Sequence, residues 1–532
     1  MKLFLPLVFA AALQAQVSYE ALRQSPNENW LTYAGDYQGR GLSPLVQITP
    51  DNARNLTPKW TFQVPGAKGL RARPVVAEGV MYYTNTNAIY ALDARSGRVI
   101  WQYNDTQSKK EAVNRGAAIL GNQVYFATAD CHLVSLDRRT GGLAWRKQYG
   151  DIKDGVFCSA APVALRDKII VGTAGGDEGM RGYLAALDAV SGKEVWRTYT
   201  VPKRGEPGSE TWGDYIEYGG AATWLSGTFD PETNTLYWTT GNPWPDFYGG
   251  DRKGDNLYSC SLLAIDADTG KMKWYFQFTP GDWHDWDAQS WPVLVEVNWE
   301  GKPRKVVFHA NRNGFLYVLD RETGRYLRSQ PLIQKLDWAK GIDANGRPIP
   351  NPDKNPTPEG NRVCPGVRGA TNWMSQSWNA ATGLLSVVVL EQCDIYTSSS
   401  KKPEPGTNFA GGGAGPRPNE PGQFFVRSFD PLTGDLRWQY PMTGKAEMWA
   451  GLTGTASGLL FSGDDDGHLI VLDSRTGKHL YHYQTGAQIY SSPITYMVEG
   501  KQYVTIANAN ALFTFSLFAP VESVPVPPVK IH

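Results

Sequence analysis

Several signals that would assign a chemistry at once are missing from this chain. It has only five cysteines in 532 residues, and none stands in a C-x-x-C-H motif. No haem is therefore attached in the usual covalent way. H-E-x-x-H, G-x-S-x-G and a phosphate-binding loop are also absent, which leaves protease, hydrolase and nucleotide readings little support. Lysine plus arginine and aspartate plus glutamate each total 52. Their balance gives no reason to expect nucleic acid or an acidic membrane surface as partner. After the N-terminus no apolar run approaches the ~18 residues needed to span a bilayer. Helical periodicity is missing from the repeated part of the chain.

What the chain does have is a repeat, D-x-x-[S/T]-G-x-x-x-W. It stands at Asp93–Trp101, Asp137–Trp145, Asp188–Trp196, Asp266–Trp274 and Asp430–Trp438. A sixth copy, Asp473–Gly477, has Tyr481 in the tryptophan place, and a seventh, Asp320–Gly324, reaches Arg328 instead of an aromatic. Trp60 reads as the tail of an eighth. An apolar strand precedes each turn and a second strand follows it. Such units must stack to bury their apolar faces, and four-stranded units at this spacing indicate a β-propeller. The eight docking positions predict eight blades in an all-β fold, with a solenoid as the alternative.

The repeat overrides the several domains that length alone suggests. The expected organisation is a signal peptide over residues 1–15, then one eight-bladed domain over 16–532. Met1-Lys2 and the apolar run Leu3–Leu13 carry the export signal; a buried N-terminal strand is the plainer alternative. Export to a periplasmic compartment would permit disulfides, and the odd cysteine count leaves at least one thiol free. The docking positions are widely spaced between Trp196 and Trp274, and again between Arg328 and Trp438. Extra turn-like copies, Asp230–Asn234 and Asn379–Gly383, fall in these gaps. Capping insertions are expected near 329–372 and 400–422, and a loosely packed proline-rich tail over 519–532.

Candidate chemistry lies outside the repeat. In Thr279–Ala288, Asp285 and Asp287 alternate with Trp286; an extended segment points both carboxylates one way, toward a hard cation. Two solvated loop aspartates are the plain alternative. Gly172–Gly182 contains Gly175 and Gly176, which let backbone approach a flat ligand, and Asp177, another hard ligand. Asn242, in Thr239–Pro243, offers an amide oxygen. Trp224, after four small residues and a threonine, suits the floor of a flat pocket or ordinary blade packing. Arg115 and Arg312 suit a carboxylated ligand or an ordinary loop.

Together these segments resemble the pyrroloquinoline-quinone (PQQ)-dependent alcohol dehydrogenases of the methanol and ethanol dehydrogenase type. The resemblance runs from about residue 28 to about 517. It implies an eight-bladed propeller with PQQ on its axis and one metal ion, calcium or a lanthanide(III). It places the metal ligands on Asp177 (where the family usually has Glu), Asn242, Asp285 and Asp287, and the catalytic base on Asp285. Quinone contacts fall on Arg115, Ser159, Gly175, Gly176, Trp224, Arg312, Asn372 and Trp449. Cys364 and Cys393 match a structural disulfide. Asp287 stands where lanthanide-using members carry an extra aspartate, and three carboxylates favour a trivalent ion. Two departures stand out. The family's adjacent cysteine pair is replaced near Lys109-Lys110, and an acidic quinone-site residue by Arg71.

The implied activity is oxidation of an alcohol to an aldehyde, with electrons passed to a separate acceptor such as cytochrome c. A homodimer is compatible with the chain. The rivals are a non-catalytic propeller scaffold and a PQQ-dependent sugar or polyol dehydrogenase.

Overall fold

The computed structural model describes residues 16–518 except 25, 218, 251, 400, 402–408, 417–418, 446 and 448. The expected signal peptide and the proline-rich tail lie outside these residues. Among the described residues, strands form seven four-stranded sheets and one five-stranded sheet, hence eight blades, with two smaller sheets beside them. Blades one to seven follow the chain, over 75–104, 118–148, 163–199, 228–277, 293–331, 377–441 and 453–484. Blade eight joins Ile494–Val498, Lys501–Ala507 and Ala511–Leu517 to the early strand Leu56–Gln63. Leu56 pairs with Leu517 and Gln63 with Ala511, so the two ends of the propeller close one antiparallel sheet. The fifth strand of blade seven is Leu42–Ser43, added in parallel.

The repeated motif joins each blade to the next. In blade one, the Asp93 carboxylate accepts backbone N–H bonds from Arg95 and Ser96 at 3.0 and 2.9 Å, which fixes the turn. Gly97 follows at φ +73°, and a Cβ there would lie 2.6 Å from the Trp60 ring of blade eight. Trp60 Nε1 donates to the Ala94 carbonyl at 3.2 Å. The same contact recurs around the ring: Trp101 on Gly141, Trp145 on Gly192, Trp196 on Gly270, Trp274 on Gly324 and Trp438 on Gly477. Arg328, which replaces the aromatic, packs against Gly434 and donates to the carbonyls of Leu432 and Thr433. Tyr481 OH donates to the Leu56 carbonyl at 2.8 Å.

Burial follows from stacking. Third strands such as Ala88–Asp93 are buried along most of their length, because neighbouring blades cover both faces. Fourth strands such as Val99–Asn104 are largely exposed around the docking Trp101. The wide spacings have two sources. The turns at Asp230 and Asn379 join the first two strands of blades four and six. Long loops interrupt the same blades after Thr239 and Glu391. The excursion expected from 329 begins after Pro331, because Tyr326–Pro331 is still the last strand of blade five. It contains the hairpin Ala339–Ile342 and Pro348–Pro350. Asp394–Ser398 pairs with both Asn361–Val363 and Gly412–Pro416.

Antiparallel pairing divides the connections between two faces. Turns between first and second strands, and between third and fourth, share one face and include the Asp-Gly repeats. Loops between second and third strands, and the crossings between blades, share the other. All the expected ligand-binding residues fall on that second face.

Candidate functional site

Loops from most of the blades line a cavity of about 510 Å³ on this face. Arg115 comes from the blade one–two crossing, Ser159 from two–three and Trp224 from three–four. Asp285 and Asp287 come from the four–five crossing, Asn372 from five–six and Trp449 from six–seven. Gly175, Gly176 and Asp177 enter from inside blade three, and Arg312 from inside blade five. The volume is typical of a site for a small ligand or cofactor.

Asp287 is the best-held acid. Its Oδ2 accepts from Trp224 Nε1 at 2.8 Å, and its Oδ1 accepts from the Asn242 backbone N–H at 2.5 Å. Arg312 spans both aspartates, with Nη1 3.1 Å from Asp287 and Nη2 3.4 Å from Asp285. The segment is not extended as expected. Asp285 has φ +59°, in the left-handed region, so strand alternation is not what brings the two carboxylates together. Asp282 shapes the bend instead, accepting from the backbone N–H groups of His284 at 3.1 Å and Trp286 at 2.9 Å.

The electrostatics show excess negative charge. Burial pushes the Asp285 carboxyl well above its ordinary range; Arg312 pulls it down, while Asp287, Asp177 and Asp246 push it further up. Burial likewise raises Asp287 against the pull of Arg312. Asp177 lines the cavity and is exposed there, although the surrounding protein still desolvates its carboxyl. Burial first, then repulsion from Asp287, brings it up to about 6. Its turn depends on Gly175 at φ +106°, where a Cβ would collide with the Gly155 carbonyl oxygen at 2.1 Å.

Asp246 was not singled out from the sequence. It is buried, raised by its own desolvation and by Asp177, and accepts from Asn242 Nδ2 at 2.7 Å. With that nitrogen engaged, the amide oxygen is the side chain's remaining polar atom, but Asn242 is buried and is not among the residues that line the cavity. An acid four residues after the expected Asn was the available signal. Behind it, Arg252 donates to the carbonyls of Pro245 and Asp282, tying the two acidic loops together.

Cationic and aromatic side chains line the cavity as well. Arg115 lies 4.6 Å from the Trp224 ring centroid and 5.5 Å from that of Trp373. Trp373 stacks on Trp449 with centroids 6.2 Å apart. The Ser159 hydroxyl donates to the Trp224 carbonyl at 3.3 Å, and the Asn372 amide bonds to the backbone of Arg368 and Trp373. Both side chains shape the wall through these bonds. A disulfide joins Cys131 to Cys158, next to Ser159; another joins Cys364 to Cys393, and Cys260 is a buried free thiol.

Among the described residues, no three acidic, histidine or cysteine groups are gathered as a ready metal cage. The fit to a cation lies in the crowding of Asp177, Asp246, Asp285 and Asp287, whose charges raise one another. The fit to a flat, carboxylated cofactor lies in the Trp224 wall and the Arg115 Nε, which is buried without a partner.

Comparison with known proteins matches the model of the glucose/ethanol/alcohol dehydrogenase PQQ β-propeller domain over residues 30–329 and 441–504. The quinoprotein alcohol dehydrogenase PedH of Pseudomonas putida is 37% identical, covering 94% of this chain and 90% of its own. Among solved structures, quinohemoprotein alcohol dehydrogenase ADHIIG from Pseudomonas putida HK5 superposes with a TM-score of 0.88 at 32% identity, over 97% of this chain and 86% of that one. A europium-containing methanol dehydrogenase gives 0.87 at 28% identity, over 94% of this chain and all (100%) of that one.

Proposed function

The chain belongs to the PQQ-dependent alcohol dehydrogenase family and is an enzyme of that kind; from this premise we propose that Asp285 is its general base and that its metal is a lanthanide(III) rather than calcium. The observation that carries the reading is the meeting of Asp285 and Asp287 on Arg312 beside the Trp224 wall.

When bound, PQQ supplies the two-electron acceptor and the metal a Lewis acid that polarises it. The chain's residues supply the remainder. Trp224, held through its indole N–H by Asp287 and through its carbonyl by Ser159, offers a flat face for the quinone. Arg115, whose Nε is buried without a hydrogen-bond partner, offers its guanidinium to a cofactor carboxylate. Asp177, Asp285, Asp287 and the Asn242 amide oxygen would hold the cation. Asp285 takes the hydroxyl proton of the alcohol at a carboxylate oxygen. Burial strengthens it as a base, while Arg312 favours its ionised form, as a cation held beside it would too.

The preference for a trivalent ion rests on charge. Asp287 and Asp177 push the Asp285 carboxyl up, and Asp287 does the same to Asp177; a +3 ion would offset that repulsion more fully than +2. The europium-containing relative is in keeping with this choice. Electrons would leave to a separate acceptor such as cytochrome c. An export signal at 1–15 would place the enzyme in the periplasm. Among the described residues, no helix is long and apolar enough to cross a membrane.

Reconstitution with PQQ and either Ca²⁺ or a lanthanide, followed by a dye-linked alcohol assay, tests the reading. The lanthanide form should be the active one. Asp285→Asn should lower kcat at least ~100-fold, and Asp287→Ala should abolish the lanthanide preference. Full activity with Ca²⁺ alone, unchanged in Asp287→Ala, would sink the metal assignment.

A further inference from the structure

The cavity is lined by cationic side chains as well as acids, and Arg115 is only one of them. Arg71, from the blade eight–one crossing, lines the same cavity and also a neighbouring hollow of about 760 Å³. Among the described residues, no acid pairs with either guanidinium. Arg71 Nε and Arg115 Nε are both buried without a hydrogen-bond partner. The Tyr490 ring centroid lies 5.6 Å from the Arg71 guanidinium carbon. The two arginines line the same cavity, and burial first, then Arg71, bring Arg115 down to about 10 against the opposing pull of Tyr33. Lys110 lines the cavity beside them, its ammonium 5.0 Å from the Phe157 ring centroid.

Two like charges held together in a partly dry site, without a protein counter-ion, are costly by themselves. That cost falls when an anion binds between them. A carboxylate suits a guanidinium best, since it can accept two parallel N–H bonds. Arg71 gains little by being where it is unless such a group is shared with it.

We propose that Arg71 is a second carboxylate-binding guanidinium of this cavity, acting with Arg115. The assignment rests on the functional reading above and extends it to a residue which that reading leaves unused. The carboxylate can come from PQQ, which carries several, or from an alcohol substrate bearing one. Arg71 at the junction of the two hollows is placed for either.

The test titrates PQQ into metal-loaded apoprotein and follows tryptophan fluorescence. Arg71→Gln should weaken PQQ binding about tenfold, the scale of one lost charge-assisted hydrogen bond. Arg71→Glu should weaken it more, and Arg71→Lys should fall between Gln and wild type, keeping the charge without the fork. The thermal midpoint of the apoprotein should hold in Arg71→Gln, since no acidic partner is lost. A second arm, at saturating PQQ, compares KM for a hydroxy acid and a neutral alcohol of equal length. A rise for the hydroxy acid alone, with PQQ affinity unchanged, places the carboxylate on the substrate and sustains the site. Wild-type PQQ uptake with both arms unchanged in Arg71→Gln overturns the role of Arg71 alone. No PQQ uptake by the wild type under any metal overturns the functional reading, and this assignment with it.

Discussion

Asn242 shows how one residue's role depends on the atoms around it. Its backbone N–H orients Asp287, and its side-chain nitrogen is held by Asp246. Groups that orient a ligand typically change metal affinity 10–100-fold when removed. Asp246→Asn is therefore expected to weaken metal binding about tenfold or more, while leaving the fold intact. Isothermal titration with the metal, and circular dichroism as control, would check it. His309 makes a second prediction. It is fully buried, and desolvation brings it down to about 3 from an ordinary 6.5. Its folded pKa is lowered, so its contribution is whole above about 6.5 and fades as pH falls toward 3. The stability of wild type relative to His309→Leu should therefore drop by about 1.4 kcal/mol per pH unit in that window. Urea unfolding at stepped pH would measure this; a constant difference would contradict it.

At the scale of the element, the repeat is a joint between blades. Its glycine is required twice over, once for a left-handed backbone and once for the ring stacked on it. Gly141 has φ +74°, and a Cβ there would stand 2.8 Å from the Trp101 ring. Gly121, in the same blade at φ +61°, has nothing within 4 Å of that position. Gly121→Ala should cost only the backbone part, about 1–2 kcal/mol. Gly141→Ala should cost that and overpacking of about 1–3 kcal/mol more. Paired denaturation curves would separate the two, and equal losses would remove the stacking contribution. Arg328 belongs to the same account. The sequence shows a missing aromatic, whereas the structure shows a guanidinium bonded to the next blade's carbonyls.

For the whole molecule, closure is the decisive contact. The strand Leu56–Gln63 covers the edge of Ala511–Leu517, and Trp60 docks on blade one. A chain beginning after residue 64 would expose that edge, and open edges pair with other chains. Size-exclusion chromatography should then show soluble oligomers or loss of soluble protein. A stable monomer would contradict this view of closure. The ring also explains why function and repeat are separate. Alternating strand directions put the Asp-Gly turns on one face and the ligand-facing loops on the other.

The blades were legible in the sequence because their signal is local and repeated. Each docking position from Trp60 to Tyr481 lies in the last strand of a blade. The resemblance also marked residues that the fold brings to one cavity, among them Asp177, Trp224, Asp285, Asp287 and Arg312. What remained hidden was relational. The left-handed bend at Asp285, the Asp246 support for Asn242, the Cys131–Cys158 pairing and the repulsion between Arg71 and Arg115 join segments far apart in the chain or depend on local backbone angles. Residue types and spacing determined that this chain would stack strand units into a ring and carry acids, aromatics and arginines in its loops. Only tertiary structure decided which of those side chains meet, because burial and charge act through distances in space.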